Sequence, residues 1–278
     1  MSFRRYAAIG AAAVLAVSSL TGCSSSDSAG GQEGASVELK IGASPTPHAK
    51  ILRYIAEELA PKEGISLDVI EFQDYIKPNA ALDSGDIDAN YYQTVPYLEE
   101  QSKKQGFEFD HGEGIHLEPV GIYSENVDDV SQVKDGAKIG IINDPTNQSR
   151  ALRLLADAGL LKLPAGEDLN VSQVESSAEY NPKHLSFQQV EGPQLIRSLA
   201  DVSVAVINGN YAQAGGKSPK DAIALESTEN NPSLNILVWK KDTEKLEAIK
   251  KLDGLLHSPE VKSFIEKTWA DKSVLPAF

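Results

Sequence analysis

An alternation of two periodicities restricts most strongly what this chain can fold into. "VELKIGA" at residues 37–43 reads as a strand, and "PHAKILRYIAEELAPKEG" then repeats Ile51, Ile55 and Leu59 at helical spacing. "SLDVIEF" is a second strand and "YIKPNAALDSG" a short helix with Pro78 near its first turn. "DIDANYY" is a third strand, and "PYLEEQSKKQG" a helix opened by proline and closed by glycine. A second series starts near Lys138. "AKIGIIN" is followed by "TNQSRALRLLADAGL", with Thr146 as the expected N-cap and Gly159 as the stop. "LSFQQV", "GPQLIRSLA" and "VSVAVIN" continue it, "AIALE" and "NILVWKK" add strands, and two helices end the chain. Strands alternating with helices predict βαβ units and largely parallel sheets, hence an α/β fold.

Two such series imply two lobes with a cleft between them. "IHLEPVGIYS" is the expected first crossing and "ALESTENNPSLNILV" the return. Lobe 1 is therefore expected to hold residues 37–118 and 236–278, and lobe 2 residues 119–235, with the final helices packed on lobe 1. About 240 residues suffice for two small α/β lobes.

The region before residue 37 has a different character. Arg4 and Arg5 precede the apolar run "AAIGAAAVLAVSSL", which is too short for a membrane span and reads as a secretory signal. The run closes on "LTGC", which matches a bacterial lipobox, so residues 1–22 are the expected signal peptide and Cys23 the lipidated first residue after cleavage. Cys23 is the sole cysteine, which excludes a disulfide within the chain. "SSSDSAGGQEGAS" has the composition of a flexible tether, so residues 23–36 are expected to hold the body at the outer face of a cell membrane. Removing residues 1–22 takes away two arginines and no acid, which shifts the formal net charge from −14 to −16. So acidic a body suits neither nucleic acid nor anionic lipid.

Several side chains sit where an open α/β sheet binds ligands, at the carboxyl ends of strands. In "NYYQTVPYL", strand alternation sets Ile87, Ala89 and Tyr91 on one face and Asp88, Asn90 and Tyr92 on the other. The first set is apolar and should meet the core, leaving Tyr92 for the cleft. Arg150, one turn into the helix after "NDP", could hold a carboxylate in bidentate geometry, with a solvated helix arginine as the alternative. Asn208 ends the apolar strand "VSVAVIN", and Asn235 heads "NILVWKK"; each is a polar-ligand candidate or an ordinary turn residue. His116, at the first crossing, is the one histidine placed to matter. No GxSxG, Walker or HExxH motif and no Gly-rich dinucleotide fingerprint occurs, and no two histidines have metal-ligand spacing in sequence. A binding protein without enzyme activity, metal or cofactor is the expectation.

"FQDYIKPNAALDSGDIDANYYQTVPYLEEQ", "HLEPVGIYS", "KIGIINDPTNQSRALRLLADAGLLKL" and "AVINGNYA" together resemble the NlpA family, the methionine-binding lipoproteins of bacterial ABC importers. The resemblance runs from about Leu39 to the C-terminus. It implies a two-lobed, type II periplasmic-binding-protein-like fold that closes on its ligand, and partnership with a permease and its ATPase. It further implies Arg150 on the ligand carboxylate, Asn208 and Asn235 on its amino and carboxylate groups, and Tyr75 and Tyr92 around its side chain. An aromatic wall suits a thioether, since sulfur–ring contacts contribute about 0.3–1.5 kcal/mol. The family carries aromatic-Gln-His before "PYL", whereas this chain has Gln93-Thr94. Thr94 is thus the expected point of departure in ligand choice. A methionyl dipeptide, another apolar amino acid, or an adhesin or sensor role are the alternatives to methionine import.

Overall fold

The structure, a computed structural model, describes residues 36–278, so the signal peptide, the tether and Cys23 lie outside the described residues. The first series comprises β1 (Val37–Ala43), α1 (His48–Glu58), β2 (Ile65–Glu71), α2 (Lys77–Ser84), β3 (Ala89–Thr94), α3 (Val95–Gln105), β4 (Phe109–His111) and β5 (His116–Leu117). The second comprises β6 (Gly121–Tyr123), β7 (Lys138–Ile142), α4 (Pro145–Asp157), α5 (Val171–Glu175), β8 (Ser186–Val190), α6 (Leu195–Ser198), β9 (Val204–Ile207), α7 (Gly209–Ala214) and β10 (Ala222–Leu225). The chain ends with β11 (Asn235–Lys240), α8 (Leu246–Leu256), α9 (Pro259–Thr268) and β12 (Leu275–Pro276). Among the described residues no helix is long and apolar enough to cross a membrane.

The strands divide between two sheets. The larger runs β12-β5-β11-β3-β1-β2, with β4 also on β11; the smaller runs β10-β6-β9-β7-β8. β1 is parallel to β2 and β3, and β7 is parallel to β8 and β9, as βαβ connections require. The antiparallel pairs include those beside the crossings, β11 on β3 and β5 and β6 between β9 and β10, together with β4 on β11 and β12 on β5. The chain passes from the larger sheet to the smaller between β5 and β6 and returns between β10 and β11.

Each sheet buries its own core. Leu39 and Ile41 of β1 pack with Ile51, Leu52 and Ile55 of α1 and with Ile249, Leu252 and Ile265 of α8 and α9. On the smaller sheet Ile139, Ile141, Val204 and Val206 pack against Leu152 and Leu155 of α4. The apolar stripe of α4 therefore faces its own sheet, which leaves its polar first turn at the carboxyl end of β7.

Two local readings of the sequence need correction. The N-cap of α4 is Asp144, not Thr146: its carboxylate accepts from the Asn147 backbone N–H, and Pro145 takes the first helical position. Gly159 does close the helix, in the left-handed region at φ 79°, which glycine alone adopts freely. The third strand begins at Ala89 rather than Asp86 and runs on to Thr94. Within it Leu237 opposes Tyr91 while Ile236 opposes Gln93, so Tyr92 is an extra residue in the ladder. This bulge interrupts simple alternation. Tyr91 and Ala89 do enter the main core of the larger sheet, but Ile87 packs instead with Leu82, Leu98 and Phe109.

Candidate functional site

A cavity lies where the carboxyl ends of β3, β7 and β9 approach one another. It brings together Tyr75, Tyr92, Thr94, Arg150, Asn208 and Asn235, residues from five separate stretches of sequence. The aromatic side is continuous. The Tyr75 ring lies 6.0 Å from those of Tyr92 and Tyr97 and 4.8 Å from that of Tyr211. The hydroxyls of Tyr92 and Tyr97 both donate to the Tyr75 carbonyl, at 3.2 and 2.9 Å. The Tyr75 hydroxyl donates to Asn210 Oδ1 at 2.5 Å, tying the larger-sheet side of the cavity to α7 on the other. Burial pushes all four phenols above their ordinary range, so they act as neutral, partly apolar walls.

The polar side is ordered by hydrogen bonds that decide which end of each amide is free. Asn208 Nδ2 donates to Asn147 Oδ1 at 2.7 Å, and Asn147 is held in turn by Asp144; the Asn208 oxygen is left facing the cavity as an acceptor. Asn235 has the opposite sense. Its Oδ1 accepts from His48 Nε2 at 2.9 Å, which leaves its NH₂ to donate. The two asparagines thus suit the two ends of a zwitterion.

Arg150 does not present an unengaged guanidinium. Its Nε and Nη2 form a fork on the Glu226 carboxylate at 2.7 and 2.5 Å, and Nη2 also donates to the Glu118 carbonyl at 3.1 Å. Only Nη1 is without a protein partner among the described residues. The fork is thus taken by Glu226, and the edge left open is Nη1 rather than the bidentate face expected from the sequence.

His116 is wholly buried and stands behind the cavity wall. Its Nδ1 accepts from the Tyr91 hydroxyl, and its Nε2 donates to Glu118 Oε1 at 2.9 Å. Sequence spacing separates His48 from His116, yet their rings lie 4.9 Å apart in the fold. His48, His116 and Glu118 place donor atoms within 4.8 Å of one another, close enough to ask whether a cation could sit there. Both imidazole Nε2 atoms spend their hydrogen on an oxygen, Asn235 and Glu118 respectively, so neither turns an Nε2 lone pair toward the group. Burial lowers the two imidazoles to about 4 and about 3, keeping them uncharged, and raises Glu118 to about 7 against the opposing pull of His48 and Arg150.

Glu118, His48, Asn147, Tyr97 and Asn210 line the cavity but were not legible as site residues. One signal was available for His48, in "SPTPH" just past the carboxyl end of β1, the position where such sheets bind ligands.

Two α/β lobes meeting over a polar cavity, linked by two crossings, define the class of bilobal solute-binding proteins. The particular family follows from the sequence. The profile of the NlpA lipoprotein family matches residues 39–278, and the chain belongs to that family. The methionine-binding lipoprotein MetQ of Bacillus subtilis is 39% identical over 254 residues, covering 88% of this chain and 90% of that protein. A lipoprotein of Actinomyces odontolyticus of known structure is 55% identical, covers 87% of this chain and 99% of its own, and superposes with a TM-score of 0.83. The structure of a nutrient binding protein from Burkholderia cenocepacia bound to methionine is 38% identical, covers 86% and 100%, and gives a TM-score of 0.77.

Proposed function

We propose that this protein captures methionine outside the cell and hands it to a membrane permease driven by an ATPase. The observation that carries the reading is the cavity itself: a tyrosine wall on one side, and on the other an Nη1 edge, an amide NH₂ and an amide oxygen in fixed senses. The ligand carboxylate would lie on Arg150 Nη1 and Asn235 Nδ2, and the amino group on Asn208 Oδ1. The thioether would lie against Tyr75, Tyr92 and Tyr97. Membership in a family with a methionine-binding relative and a methionine-bound structure supports the same ligand. Nothing in this function makes or breaks a bond. Ligand contacts made only when the lobes are together shift an open–closed equilibrium. The lobes would be residues 37–118 with 236–278, and 119–235, a division supported by the two separate sheets. The Cys23 anchor on the outer face of the membrane rests on the lipobox and the family.

A second reading, a methionyl dipeptide, is favoured by one observation. Thr94, Asn147 and Arg150 also line a larger outer hollow that continues past Glu99, Lys103 and Arg153. With threonine where the family has histidine, that route is open to a second residue. Native mass spectrometry of the purified protein separates the two. The first reading expects a one-to-one adduct of methionine's mass, the second a dipeptide mass, and an adduct that is neither an amino acid nor a peptide would refute both.

A further inference from the structure

The cavity contains one group that the reading above leaves idle. Glu118 is buried, its Oε1 is engaged by His116 at 2.9 Å and lies 3.4 Å from His48 Nε2, and its Oε2 has no hydrogen-bond partner among the described residues. A carboxylate oxygen buried without a partner is costly, so such an atom normally awaits a donor. Its surroundings indicate which donor. Glu118 lines the same cavity as the free oxygen of Asn208, and Gly209 packs directly on it: a Cβ there would lie 2.8 Å from the Glu118 Cβ and 3.3 Å from Oε2. The missing side chain at 209 leaves room beside the Glu118 carboxylate, next to the residue whose amide oxygen is free. Arg150, whose Nη2 donates to the Glu118 backbone carbonyl, sets the carboxylate-binding edge beside them. An amide oxygen, a carboxylate oxygen and a guanidinium edge on the wall of one cavity are the groups that a free α-amino acid requires.

We propose that Glu118 Oε2 receives the ligand's ammonium group, so that the site selects a free amine and binds only with Glu118 in its carboxylate form. The inference deepens the reading of an amino-acid ligand and rests on it.

A pH dependence follows. Glu118 is faced by His48 from α1, His116 from β5 with Tyr91 of β3 behind it, Tyr75 from the segment before α2, and Arg150 from α4 with its partner Glu226. Burial keeps both imidazoles uncharged through the neutral range and holds Glu118 at about 7. Below that pH the free carboxyl is protonated and must release a proton to accept an ammonium, so affinity falls as pH falls. Asp144, raised to about 6 by burial, also titrates nearby but caps α4 and lies outside the cavity wall.

The test is isothermal titration of the full chain with L-methionine from pH 5.5 to 8, in two buffers of different ionisation enthalpy. Glu118→Gln and N-acetyl-L-methionine serve as comparisons. Wild type should lose about tenfold in affinity per pH unit below the titration and release close to one proton there. Glu118→Gln, nearly isosteric, should bind roughly 30-fold or more weakly at pH 8 and lose the proton release. Wild type should reject the N-acetyl compound. Glu118→Gln binding like wild type with the same proton release, or wild type accepting N-acetyl-L-methionine equally, would overturn the inference and leave the amino-acid reading standing. Failure of wild type to bind L-methionine at any pH would overturn that reading, and this inference with it.

Discussion

Arg150→Ala should lower methionine affinity by at least about a hundredfold, because it removes the cation proposed to meet the ligand carboxylate. The structure adds a second consequence. Arg150 and Glu226 are 14% and 16% exposed, so removing the guanidinium strands a mostly buried carboxylate, at a cost of about 3 kcal/mol in stability. Arg150→Ala should therefore unfold at lower temperature as well as bind poorly. Adding Glu226→Gln removes the stranded charge and should recover most of the thermal stability without recovering binding. Thermal melts and titrations of the single and double variants read the two effects apart. Full affinity in the double variant would remove Arg150 from the site.

Tyr75→Ala should be nearly as damaging, for a different reason. The ring touches the aromatic neighbours Tyr92, Tyr97 and Tyr211, and its hydroxyl donates to Asn210 across the cavity. Truncation removes the centre of the aromatic wall proposed for the ligand side chain, together with the hydrogen bond to Asn210. Loss of this large, half-buried aromatic costs up to about 3 kcal/mol, and if half of that falls on the closed liganded state the affinity drops about tenfold. Tyr75→Phe keeps the wall and removes one hydrogen bond, worth about 1 kcal/mol, so it should weaken binding only severalfold. The ratio between the two variants, measured by titration, separates wall from latch. Equal losses would mean that the hydroxyl, not the ring, does the holding.

What could be read from sequence followed from local rules. The βα alternation foretold two parallel-centred sheets, and the positions of Tyr92, Arg150, Asn208 and Asn235 at element ends marked residues that the fold gathers at one cavity. Long-range pairing was not legible. Nothing in residues 37–118 announces that His48 would pack beside His116, or that Glu118, beside the histidine singled out, would be the one to reach the cavity. Glu226 lay in a stretch read only as a crossing, yet it fixes the Arg150 guanidinium at the cavity wall. The bulge at Tyr92 was hidden for the same reason: it arises from the register against β11, about 145 residues away in sequence, and strand alternation alone cannot show it. Its effect is to let adjacent tyrosines serve core and cavity while Gln93 turns back to bond Asn79 and Asn90. Thr94, the expected departure from the family, sits at the junction of the inner cavity and the outer hollow.

The central claim is that this cavity takes free methionine. Equilibrium dialysis of ligand-stripped protein against labelled L-methionine tests it directly. The account predicts saturable one-to-one binding with a Kd on the order of micromolar or tighter. Binding should be displaced by unlabelled methionine and lost in the Arg150→Ala/Glu226→Gln variant. Absence of saturable uptake at millimolar ligand, in protein that remains folded, would contradict it.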